Sequence, residues 1–127
     1  MLVILLETGA LTVLYVEDDF YVRESLLRLL RRRFSNVIEA CNGREGLEMH
    51  RLHNPDFIIT DIQMPIMDGL EMCECIMKEK PDAKVIVTTA FNDREFITRA
   101  ECLGVKAYIS KPVMKDSLMS AIRAALS

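Results

Sequence analysis

Glu17, Asp18 and Asp19 follow one short apolar run, Asp61 follows a second, Thr88 and Thr89 close a third, and Lys111 with Pro112 follows a fourth. If those runs are neighbouring strands about 4.8 Å apart, the carboxylates of Glu17, Asp18 and Asp61 repel one another unless a cation sits among them. An oxygen-only donor set with no His or Cys selects a hard ion, and Mg²⁺ suits it, with Mn²⁺ as a substitute. Asp61 can then act as a nucleophile toward phosphorus. The metal and Lys111 would offset the charge on the transferring group, and Thr89 offers a donor. The product of that chemistry is an aspartyl phosphate.

Those residues need elements that bring them to one place. The apolar runs are Leu11–Val16, Asn36–Ala40, Phe57–Thr60, Lys84–Thr89 and Lys106–Ser110, mostly aliphatic or β-branched, and they predict five strands. Between them Val22, Leu26, Leu27, Leu30 and Phe34 recur at helical spacing, with Arg23, Arg28, Arg31 and Arg32 on other faces. Similar patterns run from Gly43 to His53, through Leu70, Cys73, Ile76 and Met77, through Phe96, Ile97, Ala100 and Leu103, and through Leu118, Ile122, Ala125 and Leu126. Asn92 with Glu95 predicts a capping pair for the fourth helix, and Gly104 closes that helix. Five strands alternating with five helices imply a parallel sheet covered on both faces, a three-layer α/β sandwich. In such a sheet the carboxyl ends of the strands share one edge, where open α/β folds bind ligands.

Composition narrows the classes. The 127 residues fit one domain, half of them hydrophobic and 28% charged, as in a globular protein rather than a disordered one. A formal charge of −3 gives no basic face for DNA, so protein partners are expected and direct nucleic-acid binding is not. Cys41, Cys73, Cys75 and Cys102 match no zinc spacing and read as reduced, structural thiols. The apolar start from Met1 to Leu6 is too short for a membrane span and lacks a basic signal-peptide start, so a cytoplasmic location with no membrane attachment is expected. Residues 1–10 are read as an N-terminal extension of unassigned role and residues 11–127 as the folded unit.

The segments VLYVEDD, PDFIITDIQMPIMDG, VIVTTA and AYISKP together resemble response-regulator receiver domains of two-component systems, over roughly residues 11 to 126. The resemblance implies a flavodoxin-like fold with strand order 2-1-3-4-5, Glu17 and Asp18 as the acidic pair that holds Mg²⁺, and Asp61 as phosphoacceptor. It further implies the backbone carbonyl of Gln63 as a metal ligand, Thr89 as the switch hydroxyl, Lys111 as the phosphate contact, a cis Pro112, and Tyr108 as the aromatic that changes rotamer with Thr89. The implied donor is a histidine kinase or histidine phosphotransfer protein. The implied readers are an effector protein, a fused output domain, or a second copy docking through the fourth helix, fifth strand and fifth helix. Gln63 and Phe91, two residues past key positions, fall where the family gates water, and a bulky Phe91 is expected to shield the phosphorus.

Each feature has a plainer reading when taken alone. An acidic triplet is often a solvated loop, Asp61 could cap a turn, Lys111-Pro112 could simply end a strand, and His50 and His53 are expected on a solvated helix face. Such coincidences at four strand ends are much less expected than any one of them. A haloacid-dehalogenase-type phosphatase would place Asp-x-Asp after its first strand, whereas Gln63 stands two residues after Asp61 here, so the chain is read as a phosphoacceptor and not an enzyme acting on external esters. A flavodoxin-like cofactor binder needs a phosphate loop that Glu17-Asp18-Asp19 would repel. A pseudo-receiver typically loses the acceptor, the acidic pair or the lysine, and all three are present.

Overall fold

The computed structural model describes residues 10–127; the expected extension falls almost wholly outside them. Five parallel strands, β1 (Thr12–Val16), β2 (Asn36–Ala40), β3 (Phe57–Asp61), β4 (Val85–Thr89) and β5 (Ala107–Ser110), form one sheet in the order β2-β1-β3-β4-β5. The helices are α1 (Phe20–Arg33), α2 (Gly43–His53), α3 (Gly69–Glu79), α4 (Ile97–Cys102) and α5 (Lys115–Leu126), with a 3₁₀ turn over Phe91–Phe96 ahead of α4. The three-layer sandwich and the strand order implied by the resemblance are both present, with strand limits within a residue of those expected.

Alternation along the strands divides the core in two. Val13, Tyr15, Phe57, Ile59, Ile86 and Ile109 face α1 and α5, where they meet Leu26, Leu27, Leu30, Leu118 and Ile122. Leu14, Val16, Ile58, Val85 and Val87 face the other way onto Leu47, Leu70, Cys73, Ile76 and Ala100. Each fully buried Leu or Ile contributes about 1.5–3 kcal/mol, and burial on both faces is why these strands read as continuous apolar runs rather than alternating ones.

Two expectations need correction. The Asn92/Glu95 cap does not form. Asp93 instead turns back so that its Oδ2 accepts the Ala90 N–H at 2.7 Å, the chain winds as a 3₁₀ turn, and α4 starts at Ile97 with no side-chain cap. His50 is not solvated: it is buried, its Nε2 has no hydrogen-bond partner, and only His53 lies exposed. Gly104 does take the left-handed conformation after α4, at φ +86°. Of the cysteines, all four are free, Cys73 is buried with its thiol pKa pushed up to about 12 by burial, and Cys41 and Cys102 are exposed.

Candidate functional site

The sheet register fixes where the chemistry gathers. Val16 pairs with Thr60, Asp61 with Thr88, and Thr89 with Ser110, so Glu17, Asp61, Thr89 and Lys111 all emerge at the carboxyl edge of adjacent strands. Glu17 continues β1 by donating its N–H to the Ala40 carbonyl at 3.1 Å, and Lys111 continues β5 by donating to the Thr89 carbonyl at 2.8 Å. The Lys111-Pro112 bond is cis.

Lys111 joins the acids. Its Nζ lies 3.1 Å from Glu17 Oε1 and 3.1 Å from Asp61 Oδ1. Asp61 Oδ1 also accepts the Ile62 N–H at 2.9 Å, and Glu17 Oε2 accepts the Asp19 N–H at 3.1 Å. Asp19 is therefore a local anchor and the N-cap of α1, accepting the Val22 N–H at 3.0 Å, and it is not among the three acids that cluster. Carboxylate oxygens of Glu17, Asp18 and Asp61 lie within 4.8 Å of one another. This oxygen-only group, with Glu17 and Asp61 buried and Asp18 open to solvent, fits a hard divalent cation.

The electrostatics reflect crowding. Burial, reinforced by the Asp61 charge, pushes the Glu17 pKa up to about 7, although the Asp19 N–H and Lys111 pull it down. Burial likewise raises the Asp61 pKa; Lys111 and the Ile62 N–H oppose this, and the Asp93 carboxylate adds to it. For Lys111 burial acts downward, but Asp61 and Glu17 outweigh it and the net shift is upward.

Thr88 and Thr89 differ in placement. Thr88 is buried in the sheet with its Oγ1 donating to the Thr60 carbonyl at 3.5 Å, while Thr89 is only partly buried at the strand end. Tyr108 on β5 packs against the core beneath α4, and its buried hydroxyl has no hydrogen-bond partner. Phe91 is 82% exposed and carries the Arg94 guanidinium 4.7 Å from its ring centroid. Two residues had drawn no notice in the sequence. Gly69 approaches β3 so closely that a Cβ there would collide with the Asp61 carbonyl oxygen. Asp93 is 2% exposed and accepts the Gln63 side-chain amide at 2.7 Å.

A family model, the response regulator receiver domain, matches residues 13–123. The chain belongs to this family. The receiver domain is 36% identical over 116 residues to the transcriptional regulatory protein PdtaR of Mycobacterium tuberculosis, covering 91% of this chain and 56% of that protein. It is 37% identical over 110 residues to the chemotaxis protein CheY of Halobacterium salinarum, covering 87% and 92%. It thus spans a little over half of the first relative and nearly all of the second. Among solved structures, the N-terminal domain of an uncharacterised Wolinella succinogenes protein superposes with a TM-score of 0.84 at 39% identity, over 90% of this chain and 92% of that one. A receiver domain from Clostridium thermocellum gives 0.85 at 28% identity, over 91% and 94%. Receiver domains act as signalling phosphoacceptors in two-component systems. Among the described residues, no helix is long and apolar enough to cross a membrane.

Proposed function

We propose that a histidine kinase or histidine phosphotransfer protein donates its phosphoryl group to Asp61 within residues 11–127, and that the new charge switches a protein-binding surface. The observation that supports this most is the single Lys111 ammonium bridging Asp61 and Glu17 at 3.1 Å each, beside Asp18. Glu17, Asp18, Asp61 and the Gln63 carbonyl would hold Mg²⁺, with Mn²⁺ as a substitute. When bound, the ion supplies positive charge that draws the phosphoryl oxygens in and offsets the acidic cluster.

A carboxylate oxygen of Asp61 forms the new P–O bond while the P–N bond to the donor imidazole breaks, its electron pair staying on the ring nitrogen. Lys111 Nζ, already in place against Asp61, balances charge on the transferring oxygens at no cost in reorganisation. Thr89 donates its hydroxyl to the phosphoryl group, and Tyr108 follows into the space this vacates, biasing a two-state surface made of α4, β5 and α5. An effector, a fused output domain or a second copy would read that face. Phe20 and Tyr21 stand exposed at the start of α1, and Tyr21, Val22, Lys111 and Pro112 line one groove, a surface suited to the apolar flank of a donor. Turnover of external esters is not part of this reading, and the cytoplasm is the compartment that suits it.

Incubation with Mg²⁺ and acetyl phosphate, followed by intact mass, tests the proposal. A labile adduct should form on the parent and be lost with Asp61→Asn or on chelation. A parent that takes no adduct would instead be a pseudo-receiver.

A further inference from the structure

Gln63 and Asp93 stand 30 residues apart in sequence, in the segments that follow β3 and β4. Gln63 lies two residues beyond Asp61, and Asp93 four residues beyond Thr89. Asp93 uses both carboxylate oxygens: Oδ1 accepts the Gln63 amide Nε2 at 2.7 Å, and Oδ2 accepts the Ala90 N–H at 2.7 Å. Gln63 Nε2 also reaches the Asn92 carbonyl at 3.4 Å. A carboxylate only 2% exposed is held there by these two donors, and an acid is rarely buried so deeply without such partners. The bonds form one continuous connection from the loop after β3, through Gln63 and Asp93, to the backbone at Ala90, next to Thr89. Gln63 therefore faces two ways. Its carbonyl belongs to the proposed metal site, and its side chain is engaged with Asp93 and the Asn92 carbonyl in the segment after β4.

We infer that Gln63 and Asp93 form a latch that holds the Thr89–Ala90 segment in register with Asp61, making Asp93 a positioning residue for phosphoryl transfer. The inference rests on the reading of Asp61 as acceptor and deepens it. Transfer demands that the donor hydroxyl and the acceptor oxygen meet the phosphoryl group in a narrow geometry, and small misplacements by groups outside the chemistry are costly in rate. Thr89 ends an otherwise well-paired strand. The latch supplies the restraint on the loop side, where the chain leaves the sheet for the 3₁₀ turn.

Four variants separate the latch from the charge it carries. Asp93→Ala removes both. Asp93→Asn keeps the latch without the charge, because the Asn oxygen can accept from Ala90 while its amide donates to a flipped Gln63 carbonyl oxygen. Gln63→Ala cuts the latch at an exposed position that folding tolerates, and leaves its backbone carbonyl in place. The double variant Gln63→Ala/Asp93→Ala closes the cycle. The measurement is the rate of adduct formation on Asp61 with acetyl phosphate at saturating Mg²⁺, acetate being the leaving group. Gln63→Ala, Asp93→Ala and the double variant should slow by a common factor of about 2–30-fold, while Asp93→Asn stays near the parent. If Asp93→Asn is as slow as Asp93→Ala, the charge acts and the latch does not. Additive losses in the double variant, or a Gln63→Ala rate equal to the parent's, would also overturn it. A parent without any adduct removes the phosphoacceptor reading itself, an outcome distinct from a parent that reacts and variants that react equally well.

Discussion

Lys111 holds two buried carboxylates at once. Glu17 and Asp61 share one ammonium while Asp18 stands beside them, so the acidic group exceeds its compensation. Like charges crowded in this way cost the folded state stability. Removing one negative charge with Asp61→Asn should therefore stabilise the fold by about 1 kcal/mol in the presence of a chelator. The gain should shrink or reverse when Mg²⁺ is added, because a cation that binds only the folded parent stabilises that parent by mass action. Urea midpoints of both proteins with and without Mg²⁺ measure this, and a destabilised Asp61→Asn under chelation would remove the repulsion argument. At this scale the sequence was informative where a reactive residue ends an apolar run: Glu17, Asp18, Asp61, Thr89 and Lys111 were all legible that way. Asp93 was not. An Asp after Phe91-Asn92 reads as ordinary turn chemistry, and nothing local signals that its partner lies 30 residues earlier.

The loop between β3 and α3 shows how much an element tolerates in order to deliver Asp61. Asp68 caps α3 by accepting the Glu71 N–H at 2.8 Å, Glu71 returns a bond to the Asp68 N–H at 3.3 Å, and the Gly69 N–H reaches the Ile62 carbonyl at 2.7 Å. Closing that loop forces Ile66 to φ +73°, where a β-branched side chain is a genuine outlier. Left-handed backbone costs a non-glycine residue roughly 1–2 kcal/mol, and Ile66 is 75% exposed, so little packing repays it. Asn tolerates this region, so Ile66→Asn should stabilise the protein by about 1 kcal/mol. An unchanged or lower urea midpoint would show that the Ile66 side chain contributes more than its exposure indicates. Neither the strain at Ile66 nor the close approach at Gly69 was readable from spacing, because both arise from a long-range closure against β3. The start of α4 differs for a related reason: Asn92 and Glu95 match a cap locally, but Asp93, tied to Gln63, accepts the Ala90 N–H and the chain winds as a 3₁₀ turn through both residues before α4.

For the molecule as a whole, the alternation of apolar runs and amphipathic stretches dictated the layers, and burial on both faces of the sheet agrees with it. Strand order was different: right-handed crossovers permit several orders, and only the family motifs pointed to 2-1-3-4-5. His50 was misplaced because a helix pattern alone does not show which of two histidines meets α3. Its burial carries a consequence for stability against pH. Burial lowers the His50 pKa from 6.5, Lys80 and Arg51 act in the same direction, and Glu79 opposes them. The unfolded chain then binds a proton more readily than the folded one. The stability tied to neutral His50 is present above about pH 6.5 and is lost as pH falls from there through the lower folded-state value. Glu17 acts oppositely in an overlapping window. With its folded pKa raised from 4.5 to about 7, the stability tied to its protonated form is present below 4.5 and is lost as pH rises through about 7. The parent's own curve mixes the two, so the informative quantity is the difference between parent and His50→Gln, in which Glu17 and the other carboxylates cancel. That difference in unfolding free energy, measured by urea titration from about pH 5 to about pH 8, should be constant above about pH 7 and move against the parent as pH falls below about 6.5. A difference flat across the whole range would mean that His50 is protonated as easily in the folded protein as in the unfolded chain, and that the space around its Nε2 admits water.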